Sequence, residues 1–154
     1  MKQKGTATQF ELRKKRARAI NAFLKDMFGS PKTVLNYSNP LELLIAVILS
    51  AQCTDKMVNK VTADLFKKYK TLDDYCNASQ EEFEADIHST GFYRNKARNV
   101  LAMVQKLRRD FGGVVPNSIA DLITLPGVAR KTANVTLGNV YGIYEGIAID
   151  THMK

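Results

Sequence analysis

Along the first thirty or so positions, Phe10, Ala17, Ile20, Leu24 and Met27 recur at spacings of three, four and seven, set among lysines and arginines. That spacing predicts an amphipathic helix over about 8–28, stopped by Gly29. The following "GSPKTVLNYSNP" has no period and is rich in turn formers, so it reads as a connector. Pro40 then opens a nearly continuous apolar run, "LLIAVILSAQC", expected to form a buried helix to about Cys53. A second helix is expected from Thr54 through Val58, Val61 and Leu65 to about Tyr69, with Asp55 as its cap. Ser79 and Glu82 have the spacing of a capping box for a short helix ending near Ser89. After "TGFYRNKA" a long helix carries Ala97, Val100, Leu101, Val104 and Leu107, and Gly112-Gly113 closes it. Ser118 caps "SIADLITL", Pro126-Gly127 breaks that segment, and a last helix is expected from about Ala129 to Val140. No stretch alternates as a strand would, so the predicted fold class is all-α.

A length of 154 residues fits one ordinary domain with a core that needs no disulfide or metal staple. Charge adds a partner class: 23 Lys and Arg against 15 Asp and Glu leave a net +8, which favours nucleic acid before a membrane surface. Cys53 and Cys76 form neither a C-x-x-C pair nor a secreted framework, which points to free thiols in a reducing compartment. The longest apolar run is too short to span a bilayer and begins too far from the N-terminus for a signal segment. An intracellular protein with no membrane partner is expected. The basic start resembles a transit peptide in charge, but Glu11 and the helical spacing favour a folded helix.

One lysine is oddly placed. In "LPGVARKTAN", residues 125–134, a Pro-Gly turn leads straight into a helix whose first turn holds Lys131. A helix N-terminus is the positive end of the dipole, so a cation gains nothing by standing there. The turn itself is informative, because Gly127 can take a positive φ and let backbone approach a ligand closely. The N–H groups that open the next helix would then cradle a phosphate. On spacing alone, this hairpin is equally well a plain corner of the core.

The segments "ELLIAVILSAQCTDKMVN", "GFYRNKARNV", "LPGVARKTANV" and "IAIDTH", in this order and spacing, resemble the endonuclease III family of helix-hairpin-helix DNA glycosylases over nearly the whole chain. The resemblance implies an all-α fold, a six-helix barrel-like bundle over 31–146 with the helix-hairpin-helix at about 118–140. Residues 1–30 would be the N-terminal helix of an incomplete cluster-type domain, and 147–154 the start of a truncated C-terminal part bearing Asp150. It also implies base-excision DNA repair by a bifunctional DNA N-glycosylase and apurinic/apyrimidinic lyase acting on oxidised pyrimidines. In that scheme Lys131 is the nucleophile, forming a Schiff base that permits β-elimination, and Asp150 is its partner. An amine attacks only when neutral, and an unperturbed lysine of pKa about 10.4 has roughly one molecule in 2,500 neutral at pH 7. The helix N-terminus, Arg130 and an apolar setting are therefore expected to lower the pKa of Lys131. Adenine glycosylases and monofunctional alkyl-base enzymes of the same superfamily lack this lysine.

Turning a base out of a duplex leaves a gap that inserted side chains hold open. The resemblance assigns this to Gln52 and to Phe92, which stands where a leucine is frequent; the alternative for Phe92 is core packing. Gly127, Ala129, Arg130 and Thr132 are expected to meet the DNA backbone. Ala129 departs from a common glycine and would be strained if the position needed a positive φ. Lys96, Arg98 and the run "RKKRAR" are candidate phosphate cations, with a merely solvated face as the alternative for the run. The family's 4Fe-4S cluster is held by four cysteines beyond the "DTH" motif, and Cys53 and Cys76 do not match them. No cofactor and no metal are therefore expected in this chain, which reads as a fragment, marginally stable and at best weakly active. The expected partner is double-stranded DNA containing damaged bases or abasic sites, met by a monomer in a bacterial or archaeal cytoplasm or nucleoid. The competing reading is a non-catalytic helix-hairpin-helix fragment that binds DNA.

Overall fold

The computed structural model describes residues 4–29 and 33–146, with residues 4–7 as backbone alone. The chain divides into two units, Met1–Thr33 and Val34–Lys154. The first holds a single helix, α1 (Lys4–Phe28), which begins slightly earlier than the apolar period predicts. It stops where Gly29 turns to φ 66° and returns its N–H to the Lys25 carbonyl. The predicted stripe of Phe10, Ile20, Leu24 and Met27 is exposed, as is the basic run Arg13–Arg18.

The second unit is built around α2 (Pro40–Leu49). Asn39 caps it by accepting the Glu42 N–H, and Pro40 occupies the first helical position, where a missing donor costs nothing. Leu43, Leu44, Ile45, Ala46 and Leu49 are fully buried. A helix apolar on every face must be surrounded, and α3 (Asp55–Lys68), α6 (Tyr93–Phe111) and α8 (Arg130–Thr136) pack on it. Ala97, Val100, Met103, Val104 and Leu107 form the buried face of α6. Beneath α6 lie α4 (Leu72–Asn77) and α5 (Gln80–Ile87), where Tyr69, Tyr75 and Phe83 form an aromatic cluster with ring centroids 5.0–6.1 Å apart. A 3-10 turn (His88–Thr90) joins α5 to α6, and the short α7 (Ile119–Leu122) precedes α8, which continues through a π-type turn at Leu137–Tyr141.

The all-α expectation holds throughout the described residues, with differences in detail. α2 stops at Leu49 rather than near Cys53, because Ser50–Cys53 folds as a turn with the Cys53 N–H donating to the Ser50 carbonyl. Thr54, not Asp55, caps α3: its hydroxyl accepts the Met57 N–H, and Asp55 sits in the first helical turn. α4 is an element the apolar period did not predict. Thr71 and Asp74 make a full capping box there, each side chain bonding the other's backbone N–H. At Ser79 half of the expected box is present, the hydroxyl accepting the Glu82 N–H.

Candidate functional site

α7 and α8 are the two arms of the predicted hairpin. Ser118 caps α7 by accepting the Asp121 N–H, and Leu122 and Leu125 are buried in the core. The chain then reverses at Leu125–Val128, where the Val128 N–H donates to the Leu125 carbonyl at 3.1 Å. Pro126 holds the second position of this turn and Gly127 the third at φ 76°, the pattern of a type II turn. A side chain at Gly127 would also put its Cβ 2.9 Å from the Cβ of Asn99 on α6, so the turn lies directly against that helix. Val128 returns to the core, which anchors the far side of the turn.

The next residue removes one concern. Ala129 is extended at φ −88° and ψ 170°, a conformation open to any residue, so alanine in place of glycine carries no strain. As N-cap of α8 it offers no side-chain acceptor, whereas Asn39, Thr54, Thr71, Ser79 and Ser118 each cap their helices. The N-cap of α6, Phe92, offers none either. A helix start leaves its first amide N–H groups outside the intrahelical ladder, where they suit an external acceptor. Arg130 and Lys131 are exposed in the first turn of α8, and Thr132 beside them is half-buried.

Two loops flank this hairpin. In the turn after α2, Gln52 is exposed in the left-handed region at φ 52°. Between the 3-10 turn and α6, Phe92 is left-handed too, at φ 48°, and the residue is 65% exposed, which excludes core packing. These are the positive-φ residues other than glycine among those described. Gln52, Phe92 and Gly127, from three separate sequence segments, line one cleft of about 280 Å³, with Asn95, Lys96 and Asn99 of α6. Ala129, Arg130, Lys131 and Thr132 follow from the rim at Gly127 but do not line the cleft. Asp150 lies outside the described residues.

Lys96 corrects an expectation. It is 5% exposed, and its ammonium donates to the carbonyl oxygens of Leu49 at 2.8 Å and Thr90 at 2.7 Å, so it cannot reach a phosphate. Burial pushes its amine below the usual lysine range, with Cys53 acting the other way. The sequence does contain a signal, since Lys96 shares a face with Val100, Met103 and Leu107 at helical spacing. Arg98 remains exposed and bonds to Asn95. A second cleft, between Met57 and Ser89, holds none of the predicted residues, and the Lys68 at its edge is committed to Glu82 and Asp86 at 2.8 and 2.6 Å.

An iron–sulfur cluster of the family's kind needs four thiolates. The chain has two cysteines, both free, and no group of three or more His, Cys, Asp or Glu among the described residues could hold a metal. The residues present do not fit the cluster. No helix among the described residues is long and apolar enough to cross a membrane.

A helical hairpin beside a cleft that two left-handed loop residues line is the arrangement the sequence resemblance implies, and comparison with known proteins identifies the superfamily. The family model for the HhH-GPD superfamily of base excision DNA repair proteins matches residues 45–154. Endonuclease III of Synechocystis sp. is 47% identical over 142 residues, covering 92% of this chain and 65% of that protein. Endonuclease III of Bacillus subtilis is 49% identical over 129 residues, 84% of this chain and 58% of that protein. A solved structure of a trapped endonuclease III–DNA covalent intermediate, an estranged-adenine complex, superposes with a TM-score of 0.83 at 48% identity, covering 90% of this chain and 65% of that one. The chain belongs to the HhH-GPD superfamily of base excision DNA repair proteins and, within it, to the endonuclease III family. It spans somewhat less than two thirds of the length of these relatives.

Proposed function

We propose that this protein acts in base-excision repair as a bifunctional DNA glycosylase and apurinic/apyrimidinic lyase on oxidised pyrimidines, with double-stranded DNA as its partner. The observation that carries the reading is the meeting of Gln52, Phe92 and Gly127 at one cleft, with the exposed Lys131 following in the first turn of the hairpin's second helix. The trapped covalent complex with DNA formed by a relative at 48% identity is the chemistry this arrangement suits.

In the proposed reaction the neutral Lys131 amine attacks C1′ of the damaged nucleoside. The C1′–N bond breaks, its electron pair leaves with the base, and the base takes up a proton. The nitrogen lone pair then forms the C1′=N bond as C1′–O4′ breaks, its electron pair going to O4′, which takes up the proton that the amine gives up, and the Schiff base results. Removal of a C2′ proton then expels the 3′ phosphate. Asp150 is assigned to stabilising positive charge on the sugar and to assisting proton transfer. Arg130, Thr132 and the backbone from Gly127 through Ala129 hold the phosphates, while Gln52 and Phe92 fill the gap left by the extruded base. The same reading assigns α1 to a second domain.

The test is borohydride trapping. Purified protein is incubated with a duplex carrying one abasic site, reduced, and examined for a covalent complex beside a Lys131→Ala control. A complex that vanishes in the variant is the expected result. Retained duplex binding with no complex would replace the enzyme by a non-catalytic DNA-binding module.

A further inference from the structure

Burying an ammonium group is among the less favourable things a fold can do, and it is ordinarily matched with a carboxylate. Lys96 has none among the described residues; its Nζ is held by two main-chain carbonyls instead. Each belongs to the residue at which an element ends and a loop begins. Leu49 is the last residue of α2, and Gln52 follows three positions later. Thr90 is the last residue of the 3-10 turn, and Phe92 follows two positions later. Both following residues are the left-handed ones, at φ 52° and 48°, and both line the same cleft. Non-glycine residues persist in that region when their surroundings over-determine them. A single cation shared between the roots of both loops does this, because neither loop can shift without pulling a carbonyl off a buried charge.

We propose that Lys96 is a positioning residue that sets the separation of the Gln52 and Phe92 loops, so that both side chains enter a duplex together when a nucleotide is extruded. The proposal rests on the glycosylase reading above. Lys96 touches no DNA; it acts through the two loops it joins.

The test uses a duplex with 2-aminopurine opposite a tetrahydrofuran abasic analogue, whose fluorescence reports filling of the gap without any cleavage. Lys96→Met keeps the length of the side chain and removes its donors. Folding is checked by thermal melting and duplex affinity by anisotropy. Lys96→Met is expected to bind within about threefold of the unaltered protein, yet to lose at least half of the fluorescence change per bound duplex. A purely structural lysine would lower melting temperature and affinity while leaving the change per bound duplex intact, and that result overturns the proposal. Should Lys96→Met fail to fold, Lys96→Arg retains the charge and donors on a larger head that spreads the two carbonyls. Its fluorescence change should fall likewise, and a full-sized change overturns the proposal. Failure of the glycosylase reading shows instead in the unaltered protein, as a duplex bound with neither a trapped complex nor a fluorescence change, and removes both.

Discussion

Gly127 is confined to glycine twice over, by a φ of 76° and by the Asn99 Cβ that a side chain would strike, whereas Ala129 two residues later is under no such constraint. That difference allows the hairpin to be probed without damaging it. Ala129→Ser would supply α8 with the acceptor its N-cap lacks, and a serine cap in place of alanine stabilises by about 1 kcal/mol. The same hydroxyl would occupy the N–H groups assigned to a phosphate. The variant should therefore melt at a higher temperature while binding duplex more weakly, measured by calorimetry and anisotropy. Gain in both properties would mean that the helix start is not where the phosphate sits.

At the scale of elements, the α4–α5 layer contains a flaw that can be removed. The Tyr75 hydroxyl is buried without a hydrogen-bond partner, and burial pushes its pKa above the ordinary tyrosine range. Its neighbour Tyr69 is pushed up to about 12, chiefly by burial and then by its bond to Asp86. A raised folded-state pKa leaves stability whole below the unfolded tyrosine value of about 10, and loses it as pH rises beyond that, since the unfolded chain gives up its proton first. Tyr75→Phe should thus add about 1 kcal/mol at pH 7 and flatten the loss above about pH 10, read by urea unfolding at both pH values. No gain at neutral pH would show that the hydroxyl is satisfied in solution.

The elements also show what local pattern can and cannot disclose. α1, α2, α3 and α6 were legible because each repeats its apolar residues over two or more turns. α4 spans six residues, too few for a period, although Thr71 and Asp74 carried its capping signature. The end of α2 was overshot because Ser50 and Ala51 suit a helix; the chain leaves it to set Gln52 in a left-handed turn, which is a tertiary demand. Among the candidate site residues, the hairpin was legible from Pro126 and Gly127. The burial of Lys96 could be read from the face it shares with Val100, Met103 and Leu107, but what holds its ammonium could not, because the partners are main-chain carbonyls of residues 47 positions and 6 positions away.

For the whole molecule, the formal charge of +8 sets the long-range behaviour. Cations that displace counterions from a duplex make affinity fall with a log–log slope of about −0.9 per phosphate. Binding to undamaged duplex should therefore weaken at least about tenfold between about 50 and 200 mM salt, the mark of two or more phosphate contacts, in an anisotropy titration. A flat profile would rule out a surface that grips the backbone.

The left-handed loop residues carry a thermodynamic consequence for that encounter. Backbone already fixed in a left-handed turn has surrendered its conformational entropy during folding, so less remains to be lost on association. Deformation then falls on the duplex, and it is largest where bases pair and stack well. A protein whose loop backbones are set in advance would sort sound from damaged pairs by how readily each pair comes apart.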